Sequence, residues 1–210
     1  MPLLHLRLPV VRFKAMFSRV FAAALLSFPL VAFAAQPFGT DLQGQPVDRL
    51  APSGSKAVVL FFAASDCPIS NRYIPEIERL QRAYSSDGIR FLWVYPNPTD
   101  TAAVVRAHDR QFDIAADTIS DTVLDTTQRL TALAHATITP EVAILVPAAS
   151  GWREVYRGRI DDRYIELGQE RPHTMKHDLE LAIRAVVANQ HVPPPGGPTV
   201  GCSIVPRNDQ

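Results

Sequence analysis

Two cysteines, Cys67 and Cys202, are the side chains of this 210-residue chain best suited by type and placement to do chemistry. Cys67 lies in the segment FFAASDCPISNRYIP, where an apolar run ends and a helical pattern begins. A helix N-terminus offers unpaired N–H groups and the positive end of the macrodipole, and both favour a thiolate over a thiol. A free thiol with pKa about 8.5 is only about 3% ionised at neutral pH, whereas one lowered to about 6.5 is roughly 75% ionised. The reactive species then rises about 25-fold, partly offset by the weaker nucleophilicity of each thiolate. Pro68 falls at the first helical position, where its missing N–H removes no hydrogen bond. Asp66 opposes ionisation unless it points away or pairs with an arginine such as Arg72.

A second chemistry uses the same sulfurs. Cys67, Cys202 and His135, which precedes Thr139-Pro140, would together suit copper or zinc, although their spacing has no ligand regularity. His108, His173, His177 and His191 do not cluster beyond an i, i+4 pair at His173 and His177, expected on a solvated face. Asp161-Asp162-Arg163, following Arg157 and Arg159, reads as a solvated and mutually paired turn. Its functional alternative brings Arg159 or Arg163 toward Cys67 to stabilise the anion. A Gly-rich phosphate loop, a serine elbow and a paired-carboxylate signature are all lacking in the sequence.

The elements that must position Cys67 follow from hydrophobic patterning. Residues 57–63 (AVVLFFA) form a continuous apolar run of the kind found in strands buried on both faces. Ile74, Ile77, Leu80 and Tyr84 recur at helical spacing, predicting a helix over residues 69–85, and Asp87-Gly88 ends it. Residues 89–95 (IRFLWVY) are a second buried strand, and residues 38–50 a small hairpin or lead-in strand turning at Gly44. Thr99 or Asp100 is expected to cap a helix running through Phe112. A short extended piece near Thr118 then leads to a helix over residues 122–134. Residues 142–146 (VAILV) and 153–160 pair as a hairpin, and a last helix covers residues 174–189. This order implies an α/β domain, residues 35–190, with a central mixed β-sheet flanked by helices on both faces.

The two ends are made of different material. Arg7, Arg12, Lys14 and Arg19 precede an uncharged apolar run at residues 20–34 that closes on Ala32-Phe33-Ala34. A basic start, a short apolar middle and a small-residue end read as a secretory signal peptide over residues 1–34, with Met16 an alternative start. Removing it takes away four basic groups, leaving 21 − 4 = 17 basic against 21 acidic residues, a net charge of −4. The expected location is therefore the periplasm or the exterior, where thiols can settle as disulfides. With no basic surplus there is no footprint for nucleic acid, and none is expected as a partner; nor is a membrane, once the leader is removed. At the other end residues 191–198 (HVPPPGGP) can be neither helix nor central strand, so residues 191–210 form a stiff-then-flexible arm carrying Cys202.

Taken together, a strand, then Cys67-Pro68-Ile69-Ser70, then a helix with Pro75, resembles the active-site segment of thioredoxin-like proteins. Thr139-Pro140 sits where that fold carries a cis-proline beside the active cysteine. The resemblance covers about residues 37–190. Its nearest form is the exported redoxin group (alkyl hydroperoxide reductase/thiol-specific antioxidant), as the blocks DCPISNRYIPEI, TPEVAIL, YRGRIDDRY and GCSI suggest. It implies an antioxidant or thiol-exchange role, site residues Cys67, Ser70, Thr139 and Pro140, and no bound organic cofactor. The departures are specific. Ser70 stands where thioredoxins have a second cysteine, Asp66 where they have tryptophan, and Ala64 and Leu60 where peroxiredoxins have threonine and proline.

Cys202 is then the candidate to resolve an oxidised Cys67 within the chain. Twelve extended residues from Gln190 to Cys202 reach up to about 40 Å, against a radius of gyration of about 16 Å for such a domain. The arm can therefore reach Cys67 of its own chain or of a neighbour, and an oligomer through the arm is open. Three readings stand at this point. The first is a thiol oxidoreductase acting on a disulfide or peroxide, with a protein thiol or disulfide as partner. The second is a copper- or zinc-binding module. The third is a redox-inert domain with a structural disulfide.

Overall fold

The computed structural model describes residues 36–115, 118 and 121–207. The expected signal peptide and both start sites lie outside the described residues, as does most of the extended piece expected near Thr118. Among the described residues the central sheet has five strands. β1 (Ala57–Phe62) pairs in parallel with β2 (Ile89–Tyr95), which pairs in parallel with β3 (Thr122–Leu124). On its other side β1 runs antiparallel to β5 (Glu141–Ala148), and β5 antiparallel to β6 (Gly151–Gly158). The sheet is mixed because a hairpin joins β5 to β6, whereas helices carry the chain between the parallel strands.

Strand alternation sorts the apolar runs onto two faces. Val59, Phe61, Phe91 and Trp93 point to the side covered by α2 (Ile74–Tyr84), α3 (Ala102–Gln111) and α5 (Asp178–Val187). Val58, Leu60, Phe62 and Val94 point to the other, packed by the short α4 (Arg129–Leu133), by Leu50 and by Ile204. Phe61 and Trp93 meet edge to face at 5.0 Å on the first side. The lead-in segment bonds along β3 (Thr40 N to Leu124 O 3.1 Å, Leu124 N to Thr40 O 2.7 Å), closing that sheet edge. Among the described residues no helix is long and apolar enough to cross a membrane.

Several expectations need correction. The helix expected over residues 69–85 is broken at Tyr73 into α1 (Pro68–Arg72) and α2. Pro75 has no N–H to offer the Asn71 carbonyl, so the first turn stops and a new helix starts with Pro75 in its opening turn. The cap of α3 is Thr101, whose Oγ1 accepts from Val104 N at 3.3 Å, and not Thr99 or Asp100. The helix expected over residues 122–134 is strand β3 followed by α4: Thr122, Val123 and Leu124 lie in register with Trp93, Val94 and Tyr95. β-Branched residues beside an open strand edge win over helical periodicity there. The last helix begins at Asp178 rather than Thr174. Before the last helix, β7 (Tyr164–Glu166) and β8 (Gln169–Glu170) pair as a small hairpin. The arm's end is more ordered than a flexible tail, because Cys202–Ser203 forms β9 against β4 (Ile138–Thr139).

Candidate functional site

Cys67 ends the loop after β1 and is the residue that precedes α1, with an extended backbone (φ −89°, ψ 109°). Its N–H donates to the Ala64 carbonyl at 3.2 Å and its carbonyl accepts from Asn71 at 3.0 Å. Ser70, fully buried, turns its hydroxyl back to accept from Ala64 N at 3.3 Å. The serine in the place of a second cysteine thus pins the loop that aims Cys67. Asp66 is exposed, and no ion pair joins it to Arg72 among the described residues.

A polar network supports the loop from the side. Asn71 Nδ2 donates to the Ser65 carbonyl at 3.2 Å, while its Oδ1 lies 2.8 Å from His108 Nε2. Burial holds the His108 pKa below its ordinary value, so the ring is neutral, donates through Nε2 and accepts the Tyr95 hydroxyl at Nδ1 (3.3 Å). Ser65 donates to Asp100 Oδ1 through both its hydroxyl and its N–H. This is why Asp100 is not the helix cap, and burial pushes its carboxyl above the usual range.

Opposite Cys67 stands the Thr139-Pro140 peptide, which is cis. Thr139 is fully buried, and its carbonyl oxygen lies 3.3 Å from Cys67 Sγ. Glu141 fixes the approach: its Oε2 accepts from Thr137 N at 3.1 Å, with Arg157 3.6 Å from Oε1.

Cys67 and Cys202 are joined as a disulfide within one chain, their Cα atoms 6.2 Å apart across 135 residues of sequence. Cys202 arrives on β9, where Thr139 pairs with Cys202 and Ile138 with Ser203. Thr139 Oγ1 adds a bond to the Cys202 carbonyl at 3.4 Å, and Ile204 N donates to the Thr137 carbonyl at 3.0 Å. Further on, Val205 is held by two side-chain amides: its N–H by Asn97 Oδ1 (2.9 Å) and its carbonyl by Gln128 Nε2 (2.7 Å). Under this lid Cys67 is only 1% exposed.

The arm has a second anchor upstream. Arg159 Nε meets Asp178 Oδ2 at 2.7 Å, and Asp178 Oδ1 accepts from Gly196 N at 2.9 Å. A Cβ at Gly197 would stand 2.6 Å from Arg159 Nη1, so the Gly196-Gly197 pair is there for clearance. Arg159 therefore secures the arm and does not face the sulfur. Arg163 lies over the Tyr73 ring at 5.6 Å, and Tyr73 donates to Asp161 Oδ1 at 2.5 Å. Asp161 and Asp162 are buried and take up backbone donors of the 163–176 segment, contrary to the expected solvated turn. His135 stays apart too: it is 75% exposed, with Nδ1 4.0 Å from Glu154. Among the described residues its ligand atoms do not converge with the cysteines, and both sulfurs are committed to their bond.

Sequence reasoning brought together Cys67, Ser70, Thr139, Pro140 and Cys202, and the structure gathers all five. It missed Asn97, Gln128 and the Arg159–Asp178 pair, which hold the arm. Only the Gly-Gly pair and Gly201 hinted that the arm lies against something.

A mixed sheet with an N-terminal-turn cysteine facing a cis-proline defines a thioredoxin-like protein. The chain belongs to the AhpC/TSA family, whose model matches residues 29–147. Among solved structures it is similar to an uncharacterized conserved protein from Geobacillus kaustophilus at 23% identity, covering 84% of this chain and 92% of that one (TM-score 0.64). A hypothetical protein from Sinorhizobium meliloti is similar at 21% identity, covering 79% and 87% (TM-score 0.63). No curated protein matches the sequence. The fold and family make the chain a redoxin, thiol oxidoreductase-like, whose two cysteines pair across the fold and not within a CxxC motif.

Proposed function

We propose that this chain is an exported thiol–disulfide oxidoreductase in which Cys67 attacks a protein disulfide and Cys202 resolves the adduct within the same chain. The observation that carries this reading is the seat of Cys202. The sulfur bonded to Cys67 belongs to a terminal arm paired over two residues of β4, so it can leave without opening the sheet. Protein disulfide is favoured over peroxide because Ala64 stands near Cys67 with no hydroxyl to polarise a peroxide, and because access runs along the β4 backbone. Export is supported by the leader pattern and by a disulfide, which persists in oxidising compartments.

The test is to reduce the protein, challenge it with a protein disulfide or with hydrogen peroxide, and map bonds by mass spectrometry. The expected result is Cys67–Cys202 re-formed by the protein disulfide, and with Cys202→Ser a mixed disulfide trapped on Cys67. Absence of any adduct on Cys67 removes the reading. The burial of Cys67 favours one other reading, a structural disulfide, which predicts a bond that survives a reductant of thioredoxin strength.

A further inference from the structure

We propose that the arm is a built-in stand-in for the substrate, and that the groove beneath it takes an extended protein segment of the form Gly-Cys-x-apolar. The inference rests on the oxidoreductase reading and adds to it the class of partner. β-Strand addition supplies affinity through main-chain bonds and specificity through pockets for particular side chains. Both parts are visible here with the arm as occupant.

The residue before the cysteine is read by exclusion. A Cβ on Gly201 would collide with the Thr139 carbonyl oxygen, stand 2.7 Å from the Thr139 carbonyl carbon and 3.0 Å from Pro140 Cδ. The colliding atoms are backbone of the segment that faces Cys67, so they cannot move aside without displacing the site. The residue after the cysteine, Ser203, is exposed and unread. Two positions after it Ile204 is 8% exposed and joins the cluster containing Leu130, Ala134 and Ala136, so an apolar side chain is selected there. The next residue is held by its main chain, through Asn97 and Gln128, whatever its side chain.

The exchange balances without another reactant. The reduced Cys67 thiolate attacks the docked cysteine's disulfide sulfur, forming Cys67–S–S–partner and expelling the partner's second thiolate. The Cys202 thiolate then attacks Cys67 Sγ, forming the observed bond and releasing the first partner thiolate. The partner disulfide gains two electrons and the Cys67/Cys202 pair loses two. Release of the reduced partner coincides with the return of the arm to the groove, which blocks rebinding.

The probe is a synthetic peptide of residues 199–206 (TVGCSIVP) with its thiol carried as the mixed disulfide of nitrothiobenzoate, and the protein is the reduced full chain with Cys202→Ser. Release of the coloured thiol reads attack by Cys67, normalised to the rate with free cysteine. The arm of this variant competes equally with every probe, so ratios are unaffected. The parent peptide is expected to react at least about tenfold faster than versions with valine for the glycine or aspartate for the isoleucine, a difference of about 1.4 kcal/mol. It should likewise outpace glutathione activated in the same way. Equal rates for all probes overturn the selection while leaving Cys67 as nucleophile. No release from any probe removes both proposals. The reduced unsubstituted chain, run in parallel, must give the same ranking, which guards against a folding defect in the variant.

Discussion

Replacing Ile204 by alanine probes whether docking of the arm and closure of the bond are one event. A two-residue strand is marginal by itself, so the arm is expected to leave β4 once the sulfurs part, and its packing then stabilises the oxidised form alone. Ile204 is 8% exposed at the rim of a cluster, where loss of its branched side chain costs about 2 kcal/mol, the low end of core truncations. At 1.4 kcal/mol per decade this is about a 30-fold fall in the equilibrium constant for forming Cys67–Cys202, or about 40 mV toward easier reduction for a two-electron couple. Equilibration in glutathione buffers of graded ratio, read by alkylation and mass, measures it. A potential within about 10 mV of the parent refutes the reasoning: the arm would then be docked equally in both redox states.

Other perturbations test neighbouring claims. Reduction should lower the urea midpoint, because a bond across 135 residues contributes up to about 5 kcal/mol in the loop-entropy model; an unchanged midpoint rejects that contribution. Asp109 is buried with one carboxylate oxygen unpartnered, and burial pushes its pKa up to about 6. The folded state then holds its proton more tightly than the unfolded state, so stability falls as pH rises from about 4 to about 6 and levels off above. Asp109→Asn should raise stability at neutral pH by about 1–2 kcal/mol and flatten that slope; a parallel pair of pH–stability curves contradicts the assignment. Asn71→Ala should cost about 1–3 kcal/mol in urea denaturation, since it strands the Ser65 carbonyl and the His108 Nε2–H. A loss below about 0.5 kcal/mol means the network does not support the loop.

The parts of this fold legible in sequence are those where one physical signal dominates. Residues 57–63 are apolar at every position, and residues 89–95 at all but Arg90, because both sheet faces are covered. Cys67 was legible as a site because Pro68 marks a helix start directly after a buried strand. The β3 region was not: Thr122 to Leu124 form a strand only because Trp93 to Tyr95 offer an open edge, which no local window records. The turn at Asp161-Asp162 misled for the opposite reason. Charged residues in a row read as solvated, yet each carboxylate here takes donors from a segment more than ten residues away. The arm combined both problems, since its Pro/Gly composition forbids regular structure up to Pro198 and says nothing of the pairing that begins at Cys202.

The sulfur–sulfur bond also sets how the chain carries tension. In the oxidised state residues 67–202 form a covalent ring, and a pull applied at the two ends of the described chain runs from the last residues through the bond into the segment before Cys67. β1 lies on that line, ahead of the ring, whereas β2, β3, β5 and β6 lie inside the ring and off the direct path, and about 450 Å of contour is withheld from stretching. Breaking one bond turns the ring into a thread and routes the same load through every strand. A tethered-chain extension measurement under oxidising and reducing buffer would read the redox state as a length.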